Sequence, residues 1–544
     1  MALGVLEDRH LEHVPGTALL EDLQTGAAAS GVKKGTGHSA HIILVPQPSD
    51  DPRDPLNWPI WKKEALFWSI CYSAGLVGAV GPLLAPGYVL LGQQWHVSTN
   101  TAAATNGDTI LALGCFMMLQ APLAVKFGRR PVFLVSMLLL FSCSIWSAVS
   151  QGLTSFLVSR VFQGFGMASY ESLVTATIGD IYFVHQRGFR VAIWGLAISL
   201  GISIAPIANG YVIASNTLGW RWCFWLITIF HGIALILIFL LVPETSYDRK
   251  TPETVETSST AATDEKTGEE SSENIPVSDK DVEAVAVIQS EDYMPPKTFW
   301  QELKPWSGYV SSVSIFEVFF RPFPFILSPV IWFTIFSYGL TTCWLVILSA
   351  VSSVVFGGPP YNFSTSQVGL VSIGPLVAGL ITTFIAGPLT DYSATWFAKH
   401  NKGIYEPESR MYVMVLMLIL EVAGFAFWAL MQSKDVHWIG PVIMYSIINA
   451  GQGIGSTAIV TYVIDVHRKH SPECFALINF IKNLILYGFS QFSVEWVQNM
   501  GVLHTFGILA GLTALCVLTA VPMYIFGKRV RSWITRHPTI FDRE

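Results

Sequence analysis

Apolar runs long enough to cross a bilayer recur along this chain, and no other feature constrains its fold as tightly. A hydrocarbon core of ~30 Å takes about 20 residues of helix at ~1.5 Å each. Runs of that order occupy 66–90, 103–125, 131–150, 154–181, 190–215 and 222–243, then 328–356, 367–391, 411–431, 438–464, 474–499 and 502–527. Hydrocarbon offers no water to backbone N–H and C=O groups, so each run is expected to be a helix. Composition agrees: 51% of residues are hydrophobic and 13% charged, about half the ~25% charge of soluble domains. The expected fold is an all-α polytopic membrane protein with twelve transmembrane helices in two six-helix halves, 66–243 and 328–527.

The remaining segments are polar. Residues 1–65 are expected to be an N-terminal arm, mostly disordered over 1–57, that ends in the compact stretch from Asp51 to Pro59. Trp58, Trp61, Lys62 and Lys63 form an interfacial anchor at the entry to the first span. No cleavable signal peptide is expected, and the first span serves as the insertion signal. The linker 244–327 is rich in Ser, Thr, Glu and Asp over 251–292, which predicts disorder. Around Phe299, Trp300 and Ile315–Phe320 it is amphipathic enough to lie on a membrane surface. A short tail, 528–544, closes the chain.

Basic residues set the expected orientation. Lys126, Arg129, Arg130, Arg187, Arg190, Lys399, Lys402, Arg410, Arg468 and Lys469 fall in the turns after spans 2, 4, 8 and 10. Lys528, Arg529, Arg531, Arg536 and Arg543 fall in the tail, and the opposite loops hold only Arg221 and Lys434. The positive-inside rule then places both termini and the linker in the cytosol. The sequon at Asn362 falls on the outer side, as an N-glycosylation acceptor would. The seven cysteines lie in apolar runs without metal-ligand spacing and are read as small buried hydrophobes. The net charge of −6 reflects the acid gathered in the linker, and with no basic domain in the sequence no nucleic-acid partner is expected.

Three short patterns carry the chemistry. The turn after span 2 holds Lys126, Gly128, Arg129, Arg130 and Pro131; Gly suits a tight turn and the arginines stay in water. Span 4 holds Arg160, Gln163, Gly164 and Gly166. Span 5 holds Gly201, Pro206 and Gly210, where Pro bends the helix and small residues let a partner approach. These resemble, in order, the signature loop of the major facilitator superfamily, its Arg-x-x-Gln-Gly-x-Gly motif, and the antiporter motif Gly-x-x-x-Gly-Pro-x-x-Gly-Gly of its drug:proton branch. The chain is similar to fungal twelve-span members over residues 51–530. The family's usual Asp is replaced by Val125, whereas the equivalent turn after span 8 keeps Asp391 but lacks the Gly-Arg pair. The resemblance implies gating and helix-packing roles for Gly128, Arg129, Arg130, Gly201, Pro206, Gly210 and Asp391. Gly179-Asp180, Gly219 to Trp222 and Pro243-Glu244-Thr245 extend the match.

An intramembrane charge is costly and needs a partner or water. Asp108 and Arg160 lie at matching depths, which makes a pair geometrically feasible. Glu171 follows Arg160 by eleven residues and so shares its helix face about three turns deeper. With Gln163 these are the candidate proton and substrate residues. Asn449 and Gln452 in span 10 join them, and Tyr338 and Trp344 in span 7 are read either as aromatic cavity walls or as core or lipid-facing residues. Lys482 in span 11 either snorkels to the cytosol or faces the cavity. Glu421 is equally readable as a packed or a functional carboxyl, and His231 is read as a packing residue. No metal, cofactor, Walker motif or catalytic arrangement is expected.

The function these features predict is secondary active transport by alternating access. It is read first as proton-coupled efflux of drugs or secondary metabolites. Uptake of a cationic nutrient such as a polyamine is the alternative, and a non-transporting sensor a third reading. The expected partners are a small-molecule substrate, protons and lipid. The chain is expected to be a monomer in the plasma membrane, with the vacuolar membrane as the alternative.

Overall fold

In a computed structural model of the chain, the described residues are 51–247, 298–401 and 404–541, less 216, 307, 312, 435, 468 and 469, together with 4–8, 10, 11, 14, 17–19 and 49. The expected disorder of 251–292 and the charges at Lys402, Arg468, Lys469 and Arg543 lie outside them.

Twelve spans form. Helix α1 is Ile60–Val80, broken by a turn at 81–84 and resumed as Tyr88–Trp95; α2 is Thr99–Phe127, α3 Arg129–Val149, α4 Leu153–Ile181, α5 Val184–Ala214 and α6 Arg221–Leu241. In the second half α7 joins Pro329–Thr334, a π-helical turn Ile335–Leu340 and Thr341–Gly357. Helix α8 joins Thr365–Leu370 and Ile373–His400; α9 is Val413–Ser433 and α10 Ile439–Val466. Helix α11 joins Ser471–Ser490 and Ser493–Met500, and α12 joins Val502–Leu518 and Ala520–Thr535. Ten of these, among the described residues, are long and apolar enough to cross a membrane. The exceptions are α4, which holds Arg160, Glu171 and Asp180, and α11, which holds Glu473 and Lys482.

Lipid tails are as apolar as the helices, so close packing at small residues has to hold the bundle together. A Cβ on Gly164 of α4 would stand 2.8 Å from the Ala112 Cβ of α2, and one on Gly166 would stand 2.8 Å from the Ser136 carbonyl of α3. Gly201 and Gly78 bring α5 and α1 into backbone contact.

The halves meet at the end away from the termini. Gly107 of α2 packs on Ser490 of α11, Gly114 on Asn483, and Asn100 Nδ2 donates to the Gln491 carbonyl at 2.5 Å. On the other flank, Pro206 and Gly210 of α5 pack on Thr365 and Gly369 of α8. Val125 lies on the same strip of α2 as Gly114, yet it is 41% exposed. The strip that is sealed at Gly107 and Gly114 is therefore open toward the termini.

The arm departs from the expected disorder at its described residues. Val5 and Val14 are buried, Leu6 N donates to the Ile525 carbonyl, and β1 (Ala18–Leu19) pairs antiparallel with β2 (Ile404–Tyr405). Acids drive the docking: Glu7 meets Lys528 at 2.6 Å and Asp8 accepts from Ser532 at 2.7 Å.

Candidate functional site: a charged seam between two halves

The break in α1 frees the Val80 carbonyl, and Arg160 fills it. Its guanidinium donates to that oxygen at 3.1 and 3.2 Å, to Gln163 Oε1 at 2.9 Å and to Asn106 Oδ1 at 3.4 Å. Gln163 Nε2 continues to Ser144 Oγ at 3.1 Å, which lies 3.0 Å from His231 Nδ1. Arg160 is thus held by neutral oxygens, and the pair with Asp108 that their matching depths allow is not formed among the described residues. The reason is helical phase. Asp108 lies ~200° round α2 from Asn106, within ~20° of Cys115 and Leu119, both of which are exposed. That strip points away from the Ala103, Asn106 and Ile110 face that meets α7 and α11.

Glu171 shares the Arg160 face of α4, as its spacing requires, but its charged neighbour is Lys482 of α11. Lys482 does not snorkel out. It is 9% exposed, its ammonium stands 5.8 Å over the Tyr338 ring, and its carbonyl accepts from Cys343 Sγ. Tyr338 sits in the π-helical turn of α7, a distortion common at functional sites. Gln452 of α10 donates to Thr342 Oγ1 at 2.7 Å and, at 3.5 Å, to the Tyr338 carbonyl; its own Oε1 has no partner among the described residues. Asn449 Nδ2 donates to its own helix at Tyr445. Of the two readings for Trp344, the structure favours core packing: it is buried, edge-on to Phe489 at 4.9 Å. Glu421 is fully buried with neither carboxyl oxygen partnered, against Gly451 of α10.

At the termini end two charge belts form. Arg129, the first residue of α3, pairs with Asp180 near the end of α4 at 2.7 Å. The Glu244 carboxylate accepts from the Arg129 and Arg130 amides at 2.9 and 3.1 Å, where an anion suits a helix N-terminus. Gly128 has φ +92, and a Cβ there would run into Glu244. Arg130 binds the Val242, Phe239, Leu303 and Lys304 carbonyls. In the second half Arg410, just before α9, pairs with Asp465 near the end of α10 at 2.9 Å and with Asp391 at 3.3 Å. Arg531 of α12 takes Glu408 through two bonds of 2.8 and 2.9 Å, and Lys528 takes Glu406 at 2.8 Å.

Sequence reasoning did not single out Thr342, Asn106, Glu408 or Arg531 as members of these clusters. Hydroxyls and amides in apolar helices are common, and the Glu408–Arg531 pair joins residues far apart in the chain. Asn362 is exposed in the turn between α7 and α8, away from the termini, and Ser364 caps the next helix.

The family model described as Major Facilitator Superfamily matches residues 66–490. An uncharacterized MFS-type transporter of Schizosaccharomyces pombe is 26% identical, over 97% of this chain and 94% of that one. Protein HOL1 of Saccharomyces cerevisiae is 25% identical over 97% of each, and MFS transporter cpaT of Aspergillus oryzae 25% over 88% and 90%. A crystal structure of a D-xylose-proton symporter superposes with a TM-score of 0.58 at 15% identity, covering 86% of this chain and 99% of that one.

Proposed function

This chain belongs to the major facilitator superfamily and is a secondary transporter, and we propose that it couples protons to its substrate through Glu171 and Lys482. The observation that carries this is their placement: an acid of the first half and a base of the second share one electrostatic seam. A proton arriving at Glu171 cancels its attraction for Lys482 and frees the halves to rock about the site. Tyr338, Gln452, Asn449 and Thr342 line the approach on the second half, and Arg160 with Gln163 props the broken α1. We read the two charge belts as the gate at the termini end, which we place in the cytosol. Glu244 takes over there from the acid that Val125 replaces.

Export of drugs or secondary metabolites from the cell is our first reading, drawn from the resemblance of Gly201, Pro206 and Gly210 to the antiporter motif; Pro206 and Gly210 pack on α8 at the end away from the termini. Uptake of a cation such as a polyamine is the second, favoured by Glu171 as an acid beside the seam. The test is flux in sealed proteoliposomes under an imposed proton gradient, with a panel of hydrophobic drugs and polyamines. Wild type should concentrate a compound from one class, and Glu171→Gln should equilibrate it without accumulation. A folded wild type that moves nothing, or a Glu171→Gln variant that still accumulates substrate, sinks the coupling.

A further inference from the structure

The segment that leads into the second half is fastened to the first. Lys62 of α1 pairs with Glu302 at 2.6 Å, Arg130 of α3 donates to the Leu303 and Lys304 carbonyls at 3.0 and 3.1 Å, and Val310 N donates to the Lys126 carbonyl of α2 at 2.9 Å. These clamps sit where α1 begins, α2 ends and α3 begins, at the level where spans leave the hydrocarbon. From this scaffold project Trp300 at 78% exposure, Phe316 at 75% and Tyr309 at 67%, with Phe299, Trp306 and Phe320 also exposed. Trp61 of α1, beside the Lys62 clamp, is exposed in the same way.

We propose that the described residues of 299–320 are a docking surface for the bilayer interface on the termini side, seated by insertion of their aromatic side chains. Three observations select lipid as the occupant. The patch runs onto the end of a membrane span, since the Trp306 ring meets Tyr309 at 5.6 Å and Tyr309 meets Phe127 of α2 at 5.6 Å. Trp and Tyr rings favour the headgroup level because one edge is polar and the face is not. Both acids of the segment are paired, Glu302 with Lys62 and Glu317 with Arg321 at 2.9 Å, so neither carboxylate opposes entry of the rings into the headgroup layer. The surface rides with the first half. Phe325, a few residues on, packs on His467, His470 and Phe541 of the second half, so the relative motion of the halves has to be absorbed near 321–324.

The experiment places a nitroxide at Trp300→Cys and at Phe316→Cys of the full chain, in a Cys115→Ser background, in lipid nanodiscs. Collisions with oxygen and with a water-soluble nickel chelate are compared with a label at Asn362→Cys. Chelate access several-fold below the Asn362 label, unchanged between phosphatidylcholine and phosphatidylserine mixtures and at high salt, is the expected result. Chelate access equal to the Asn362 label overturns the proposal and leaves the face to a protein partner. Insertion that requires phosphatidylserine overturns it in favour of charge-driven binding. Phe299→Cys supplies the same reading if one variant fails to assemble.

Discussion

At the scale of single residues, helical phase decides which charges can act. Asp108 and Glu171 are both intramembrane acids, but only Glu171 faces the seam. Asp108→Asn is therefore expected to keep gradient-driven uptake into vesicles within about twofold of wild type, whereas Glu171→Gln abolishes accumulation. Equal loss in both variants would put the proton site on the wrong face. Trp344 belongs to packing. It is 1% exposed, so Trp344→Ala should lose about 3–5 kcal/mol of stability, read as a lower melting temperature in detergent with no change in substrate selectivity among the molecules that remain folded.

At the scale of elements, the two halves keep one plan with some signs exchanged. Arg129 with Asp180 and Arg410 with Asp465 are the same joint, between the start of a half's third helix and the end of its fourth. Around it the halves diverge. In the first, the acid Glu244 follows α6 and meets the start of α3; in the second, the acid Glu408 precedes α9 and the base Arg531 lies on α12. Both members of the second pair are nearly inaccessible, at 2% for Arg531 and 0% for Glu408. Breaking such a pair from one side strands a buried charge. Arg531→Met should cost about 3–5 kcal/mol, and Arg531→Met with Glu408→Gln should recover much of it. Thermal melts of the three proteins in one detergent check this, and a double variant no better than the single would show that packing, not charge, holds α12.

At the scale of the whole molecule, the closed end has to open for transport to proceed. A Cβ at Gly107 would lie 2.8 Å from the Ser490 Cβ, and a disulfide spans about 3.5–4.5 Å between Cβ atoms, so a small shift accommodates one. Gly107→Cys with Ser490→Cys is expected to cross-link on oxidation and stop flux, and reduction to restore it. Flux that continues through the cross-linked protein would mean that these ends stay together throughout the cycle.

Periodicity and length by themselves determined the twelve runs, because an uninterrupted apolar run of about 20 residues satisfies its backbone in hydrocarbon as a helix. The Arg160-to-Glu171 spacing placed those two side chains on one face, and Gly128 marked a turn that a Cβ would block. The tertiary structure decided what stands opposite each face. Depth along a helix is readable from sequence, but the azimuth of a neighbour is not, so Arg160 met Val80 and Asn106 instead of Asp108. Lys482, equally able to snorkel or to turn inward, was held under Tyr338 by the packing of α11 on α7. The docking of Glu7 and Asp8 on α12 depended on a surface assembled from residues five hundred positions away, and no local pattern in the arm encodes that surface.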